Sequence, residues 1–353
     1  MKSWYFTLQW HVTALCEQQC KHCYIYHEPN YDSEISDPLS TQECFGVIDS
    51  FLSMLDRLST EHSIKLIPRI NFTGGDPMLR SDFFDLLSYA NERDIYIGIL
   101  GNPNLINHSS VIKLKEYRVR QYQISIDGMQ NTHDSLRQKG SFENSLRALE
   151  ILKETGIMEN VMFTLSKQNA DDLIPVMQLM AEKNIRHFDF ARVCAYGNAR
   201  ELVDSFQPQE YRKLLLKICE EMKRLKGLGT KTIFGFKDHL WNLLRYELGE
   251  YKLWGDSGNK LYDGCHAGQT FMVLLADGTI YACRRFVSTI GNVRKDDLYH
   301  VFRNSPLLHQ IRNVNLYKKC QICELRQYCR GCPAVAAGVN NGDYLSSDPQ
   351  CWS

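Results

Sequence analysis

The sequence has no surplus of charge. Its 41 basic and 41 acidic side chains cancel, so it lacks the electrostatic footprint of a nucleic-acid or membrane-surface binder. No apolar run is long enough to span a bilayer. The chain opens Met1-Lys2-Ser3-Trp4-Tyr5, without the basic and apolar regions of a secretion signal. A cytoplasmic protein is therefore expected. No solenoid period and no low-complexity tract interrupts the chain. Cysteine, by contrast, is plentiful, with 13 in 353 residues. An odd count, a long chain and C-x2-C pairs argue against a disulfide framework and for metal ligation in a reducing compartment.

Residues 1–225 read as alternating strands and helices, with strands expected at 5–12, 67–72, 95–99, 122–126, 161–165 and 187–193. Ser40 and Glu43 form a capping box. Behind it Phe45, Ile48, Phe51, Leu52, Leu55 and Leu58 recur at helical spacing. A second amphipathic helix is expected at 141–153, stopped near Gly156. Such units imply a parallel sheet with outer helices. Strand parity adds detail. Thr7, Gln9 and His11 share one face, as do Arg69, Asn71 and Thr73, and Gln121, Gln123 and Ser125. A closed barrel fills its interior with branched apolar residues. A polar interior instead predicts an α/β fold built as a partial (β/α)6 TIM-like barrel around a wet cavity. Residues 226–264 read as a glycine-punctuated linker with a short helix at 237–246, and 265–353 as a small Cys-rich domain.

Cys16, Cys20 and Cys23 form C-x3-C-x2-C just beyond the first strand, followed by Tyr24. Three thiolates cannot complete a four-coordinate site. An iron–sulfur cube held by them would keep one iron open to a small ligand. The spacing alone also admits a zinc site with a remote fourth ligand such as His22 or His27.

This segment resembles the radical SAM enzymes, whose hallmark is a C-x3-C-x2-C loop after strand one with a neighbouring aromatic. The resemblance implies a [4Fe–4S] cluster on Cys16, Cys20 and Cys23. Its fourth iron would be chelated by S-adenosylmethionine, which is cleaved to a hydrogen-abstracting 5′-deoxyadenosyl radical. Further matches carry implied cofactor contacts. Gly74-Gly75-Asp76-Pro77 resembles the segment that meets the methionine amino group, and Asn102 the turn after strand three. Ser125 and Arg137 resemble residues that reach the ribose and carboxylate. Arg192, near the end of strand six, shares parity with Cys194, so both are expected to face the cavity, where a cation suits the carboxylate.

The C-terminal third carries Cys265, Cys283, Cys320, Cys323, Cys329, Cys332 and Cys351. Seven thiols exceed one tetrahedral site. The pattern resembles the SPASM domain, with two auxiliary [4Fe–4S] clusters. The resemblance gives Cys320, Cys323, Cys329 and Cys351 to a distal cluster, and Cys265, Cys283 and Cys332 to a proximal one. A further family cysteine is replaced by Phe271, leaving an iron for a substrate thiolate or for His266. Cys44 and Cys219 sit on apolar helix stripes as packed thiols. Cys194 is a candidate hydrogen donor, as in radical peptide epimerases.

Radical SAM/SPASM relatives most often modify ribosomally made peptides. Arg284 stands where sulfatase-maturing members have an Asp base, which counts against that activity. Residues 9–13 and 21–25 look like those of maturases paired with short Cys-rich peptides. The expectation is a peptide maturase forming a thioether or other crosslink. It would be reduced by flavodoxin or ferredoxin and served by a separate leader-binding protein, with no nucleic-acid or membrane partner. The alternatives are a peptide epimerase, an enzyme acting on a small molecule or enzyme cofactor, and a non-catalytic iron–sulfur electron carrier.

Overall fold

The computed structural model describes residues 3–353 apart from 27, 203–204, 251, 254–257 and 259, so His27 lies outside the described residues. Six strands appear in the expected order: β1 (Ser3–Thr13), β2 (Lys65–Gly74), β3 (Tyr96–Leu100), β4 (Gln121–Ser125), β5 (Met158–Leu165) and β6 (His187–Arg192). Each pairs in parallel with the next. Two short strands extend the parallel set. β7 (Ile233–Phe234) joins β6, and β8 (Phe271–Leu274) joins the free side of β1. β9 (Thr279–Tyr281) and β10 (Thr289–Asn292) follow β8 in antiparallel order. The ten strands form one sheet that ends at β7 on one side and β10 on the other, so the barrel stays open.

Period-2 alternation sets the two faces. Phe6, Leu8, Trp10 and Val12 are buried on the outer face of β1, while Thr7 and Gln9 are half-exposed on the inner face. The core lies between the outer strand faces and the helices. The helix Thr41–His62 starts at the Ser40–Glu43 capping box, in which Ser40 N donates to Glu43 Oε2 at 2.8 Å. Its buried stripe runs through Cys44, Val47, Ile48, Phe51, Met54, Leu55 and Leu58. Phe45 and Leu52 are only partly covered, and Phe45 instead stacks on Tyr89, ring centroids 4.0 Å apart. The helix Ser141–Thr155 ends at Gly156 in the left-handed region. The later helix is Trp241–Glu247. It starts beyond the expected 237 because Asp238 turns inward to an ion pair with Arg192 and accepts from Leu240 N at 3.0 Å.

Inside the barrel one row runs Gln9, Asn71, Gly98 and Gln121 across β1 to β4. A Cβ on Gly98 would lie 2.5 Å from Asn71 Oδ1 and 3.1 Å from Gln121. Glycine there lets the two amides approach across the cavity floor.

Candidate active site

The loop after β1 carries Cys16, Cys20 and Cys23, and it is held by one internal turn and by two bonds to other parts of the chain. Lys21 N donates to Leu136 O at 2.9 Å, Cys23 N to Cys20 O at 3.1 Å, and Asn198 N to Cys23 O at 3.0 Å. Burial raises all three thiols, Cys20 to about 11. Donors nearby favour the thiolate form. Asn102 Nδ2 stands 3.2 Å from Cys16 Sγ and Arg137 Nη1 3.6 Å from Cys20 Sγ.

The end of β2 closes against this loop. Gly75 N donates to Thr13 O at 2.8 Å and Asp76 N to Leu15 O at 2.7 Å. A Cβ on Gly75 would lie 1.9 Å from Leu15 O, so only glycine permits this approach. Asp76 is buried. Its Oδ1 accepts from Met78 N at 3.1 Å, while Oδ2 has no partner among the described residues. Burial pushes its carboxyl up to about 6. Pro77 opens the short turn Pro77–Leu79.

Ser125 ends β4, half-buried on the cavity face. Tyr24 packs beside His11, ring centroids 6.3 Å apart, with the Arg284 guanidinium 5.5 Å from its ring centre. Neither of the cations expected at the cofactor carboxylate is free of protein anions. Arg137 Nε donates to buried Asp127 Oδ2 at 2.5 Å, and His22 Nε2 lies 3.2 Å from the same oxygen. Burial alone would raise Asp127, but Arg137 and His22 hold it far below the usual carboxylate range. Arg192 does not share the cavity face. Alternation puts it with Phe188 and Phe190 on the outer side of β6. There it binds Asp238 (2.7 Å), Asp348 (2.7 Å) and Gln350 (2.5 Å), over the ring of Tyr211.

The later cysteines fall into two groups by mutual electrostatic influence. Cys320, Cys323, Cys329 and Cys351 sense one another. Cys265, Cys283 and Cys332 form the second group. Cys194 is buried within electrostatic reach of Cys332. The imidazole that meets Cys265 is His239, whose hydrogen bond lowers that thiol against the effect of burial. His266 senses instead His239, Asp263 and Arg330.

Among the described residues, no three His, Cys, Asp or Glu side chains converge as a one-ion site requires. The donor set fits a cluster: three thiols on one loop with an amide and a guanidinium donor, beside a buried carboxylate oxygen that has no partner among the described residues. An ammonium group would satisfy that oxygen. Cys16, Cys20 and Cys23 would hold the cluster, with Asp76 toward the cofactor's amino group.

Residues 10–180 match the radical SAM superfamily, and residues 265–333 match SPASM, an iron–sulfur cluster-binding domain. The chain is a radical SAM enzyme with a C-terminal SPASM domain. The radical SAM part implies a [4Fe–4S] cluster with S-adenosylmethionine, and the SPASM part is an iron–sulfur domain. The enzyme is similar to the AdoMet-dependent heme synthase of Methanosarcina barkeri, at 25% identity over 98% of this chain and 95% of that protein. It is also similar to the mycofactocin maturase MftC of Mycolicibacterium smegmatis, at 26% identity over 98% of this chain and 82% of that one. In fold this radical SAM enzyme resembles Streptococcus suis SuiB bound to S-adenosylmethionine, with a TM-score of 0.74 and 18% identity over 99% of this chain and 78% of that one. Among its described residues no helix is long and apolar enough to cross a membrane.

Sequence reasoning offered His22 only as a zinc ligand, and it missed Asp127, His239, Asp189 and Lys237, whose backbone N donates to Asp189 Oδ1 at 3.1 Å. Asp189 was legible by parity with His187 on β6. Lys237 was not, because it sits in an irregular glycine-punctuated connection.

Proposed function

We propose that this radical SAM enzyme matures a ribosomally made peptide in the cytoplasm, forming a thioether or other crosslink. The carrying observation is the amide-lined cavity. Gln9, Asn71, Gln123 and Asn160 stand on inner strand faces, and each amide offers a donor and an acceptor, as a peptide backbone requires. When reduced, the cluster-bound S-adenosylmethionine supplies a hydrogen-abstracting radical. Asp76, Asn102 and Ser125 orient that cofactor, and the amide rows orient the substrate chain. The SPASM cysteines hold two auxiliary [4Fe–4S] clusters. Cys320, Cys323, Cys329 and Cys351 hold one, and Cys265, Cys283 and Cys332 the other. Flavodoxin or ferredoxin supplies electrons, and a separate protein binds the leader of a short Cys-rich peptide.

A second reading is modification of a tetrapyrrole. The similarity to a heme synthase supports it. One experiment tests both. Reconstituted, reduced enzyme is incubated with S-adenosylmethionine and either a Cys-rich peptide encoded beside its gene or iron coproporphyrin III. The peptide reading requires peptide lighter by two hydrogen atoms per crosslink, with 5′-deoxyadenosine formed. Unchanged peptide beside altered porphyrin rejects it.

A further inference from the structure

The barrel interior carries more cation than its own anions answer. Arg69 lies on the inner face of β2. Its Nε donates to Asn71 Oδ1 at 3.2 Å, and its guanidinium lies 4.9 Å from the Tyr96 ring centre. Among the described residues no ion pair reaches it, and its two terminal nitrogens carry no hydrogen bond. Burial lowers its pKa, with Tyr96 and Tyr5 acting the other way.

Lys237 follows β7 and is open to solvent. Its ammonium feels the Asp189 carboxylate of β6 and the Arg69 guanidinium of β2. The Lys237 backbone N donates to Asp189 Oδ1 on the inner face of β6 at 3.1 Å, which roots the exposed lysine at the inner side of the sheet that also carries Arg69. Arg285 adds a third positive charge nearby.

Asp189 is the one inner-face carboxylate that Lys237 senses. It is held by backbone donors, Phe190 N at 2.9 Å and Lys237 N at 3.1 Å. Gly235 makes its approach possible, since a Cβ there would lie 2.1 Å from Asp189 Oδ2. Asp189 thus fixes the backbone that presents Lys237 and leaves the charge balance positive.

We propose that Arg69 and Lys237 form an anion subsite inside the barrel that receives a carboxylate of the substrate. Arg69 is half-buried with no counter-charge among the described residues, so an arriving carboxylate would supply the ion pair it lacks. The free fork of Arg69 matches a planar carboxylate, and Lys237 adds a point charge. A phosphate site would instead gather backbone N–H groups at a helix start or glycine nest, and Arg69 and Lys237 sit on a strand face and a connection. The subsite rests on the cavity being the substrate site; it holds whether the carboxylate belongs to a peptide or to a tetrapyrrole.

Binding to the reconstituted holoenzyme under anaerobic conditions tests it in two arms. One arm compares coproporphyrin III with its tetramethyl ester. The other compares a degenerate peptide pool bearing free carboxylates with the same pool fully amidated. The wild type should bind the acid form about tenfold or more tightly than the neutral form in one arm, as one charge-assisted pair predicts. Arg69→Gln and Lys237→Met should each erase that preference while keeping wild-type iron content, and Arg69→Lys should restore part of it. An acid preference confined to the porphyrin arm upholds the subsite and rejects the peptide reading. Equal binding, or none, of acid and neutral forms in both arms overturns the subsite, as does an Arg69→Gln enzyme that keeps the full preference.

Discussion

Buried Cys194 lies within electrostatic reach of Cys332, and Arg285 Nη1 lies 3.9 Å from the Cys332 sulfur. Two such groups beside one cluster-ligand candidate would make Cys194 a tuning group, as an alternative to a source of hydrogen for substrate. Hydrogen bonds to cluster sulfurs stabilise the reduced form and raise the potential. Cys194→Ala should therefore keep S-adenosylmethionine cleavage within about twofold and shift one auxiliary cluster to lower potential. An electron paramagnetic resonance titration reads this. An unshifted potential, with loss of solvent hydrogen incorporation into product, would return Cys194 to the hydrogen-donor role.

Cofactor affinity should depend on pH through Asp76. Burial raises this carboxyl to about 6 in the ligand-free protein. Above that value it is a carboxylate able to accept an ammonium; below it the charge is lost. S-adenosylmethionine should thus bind progressively more weakly from pH 7.5 to 5.5. Asp76→Asn should weaken binding about tenfold to a hundredfold, as for a hydrogen bond to a charged group, and flatten that dependence. Equilibrium dialysis of cluster-loaded protein checks both. A slope that survives in Asp76→Asn assigns the titration elsewhere.

Local rules made much of this legible in advance. The alternation in β1, β2 and β4 announced a polar interior, and Ser40 with Glu43 announced the start of the helix Thr41–His62. Each signal lies within a few residues and follows from strand or helix period. Arg192 shows where such rules stop. It was assigned to the wrong face, because Asp238 and Asp348 lie far off in sequence and approach only on folding. Lys237 failed for the same reason, since its neighbours come from β2, β6 and the SPASM domain.

The network beneath the first cluster loop predicts a stability effect with a definite pH sign. Asp127 is fully buried and Arg137 nearly so. Because its folded pKa is depressed, Asp127 contributes stability at all pH values above its unfolded pKa, and loses it only as pH falls toward the folded value. Arg137→Met leaves a buried carboxylate short of its main counter-charge, costing about 3–5 kcal/mol at neutral pH. In that variant the Asp127 pKa rises, so acidification to about pH 4 should recover part of the loss by protonating it. Anaerobic urea melts at the two pH values measure this. A deficit that is equal at both would show that packing, not charge, was removed.

The two cysteine regions should separate by function. Cys16 is held beside Asn102 and the end of β2, whereas Cys283 lies within electrostatic reach of Cys265, Cys332 and Lys237. If the first site cleaves S-adenosylmethionine and the second serves substrate, their losses differ in kind. Cys16→Ala should remove about four irons and abolish both 5′-deoxyadenosine and product. Cys283→Ala should spare 5′-deoxyadenosine, now formed without coupling, and abolish product. Cys44→Ala is the control: its thiol is buried against the helix core and donates to Leu39 O, so both yields should persist. Chromatographic quantification of 5′-deoxyadenosine beside product mass separates the three cases. A Cys283→Ala enzyme that turns over normally would leave the second group as structure alone.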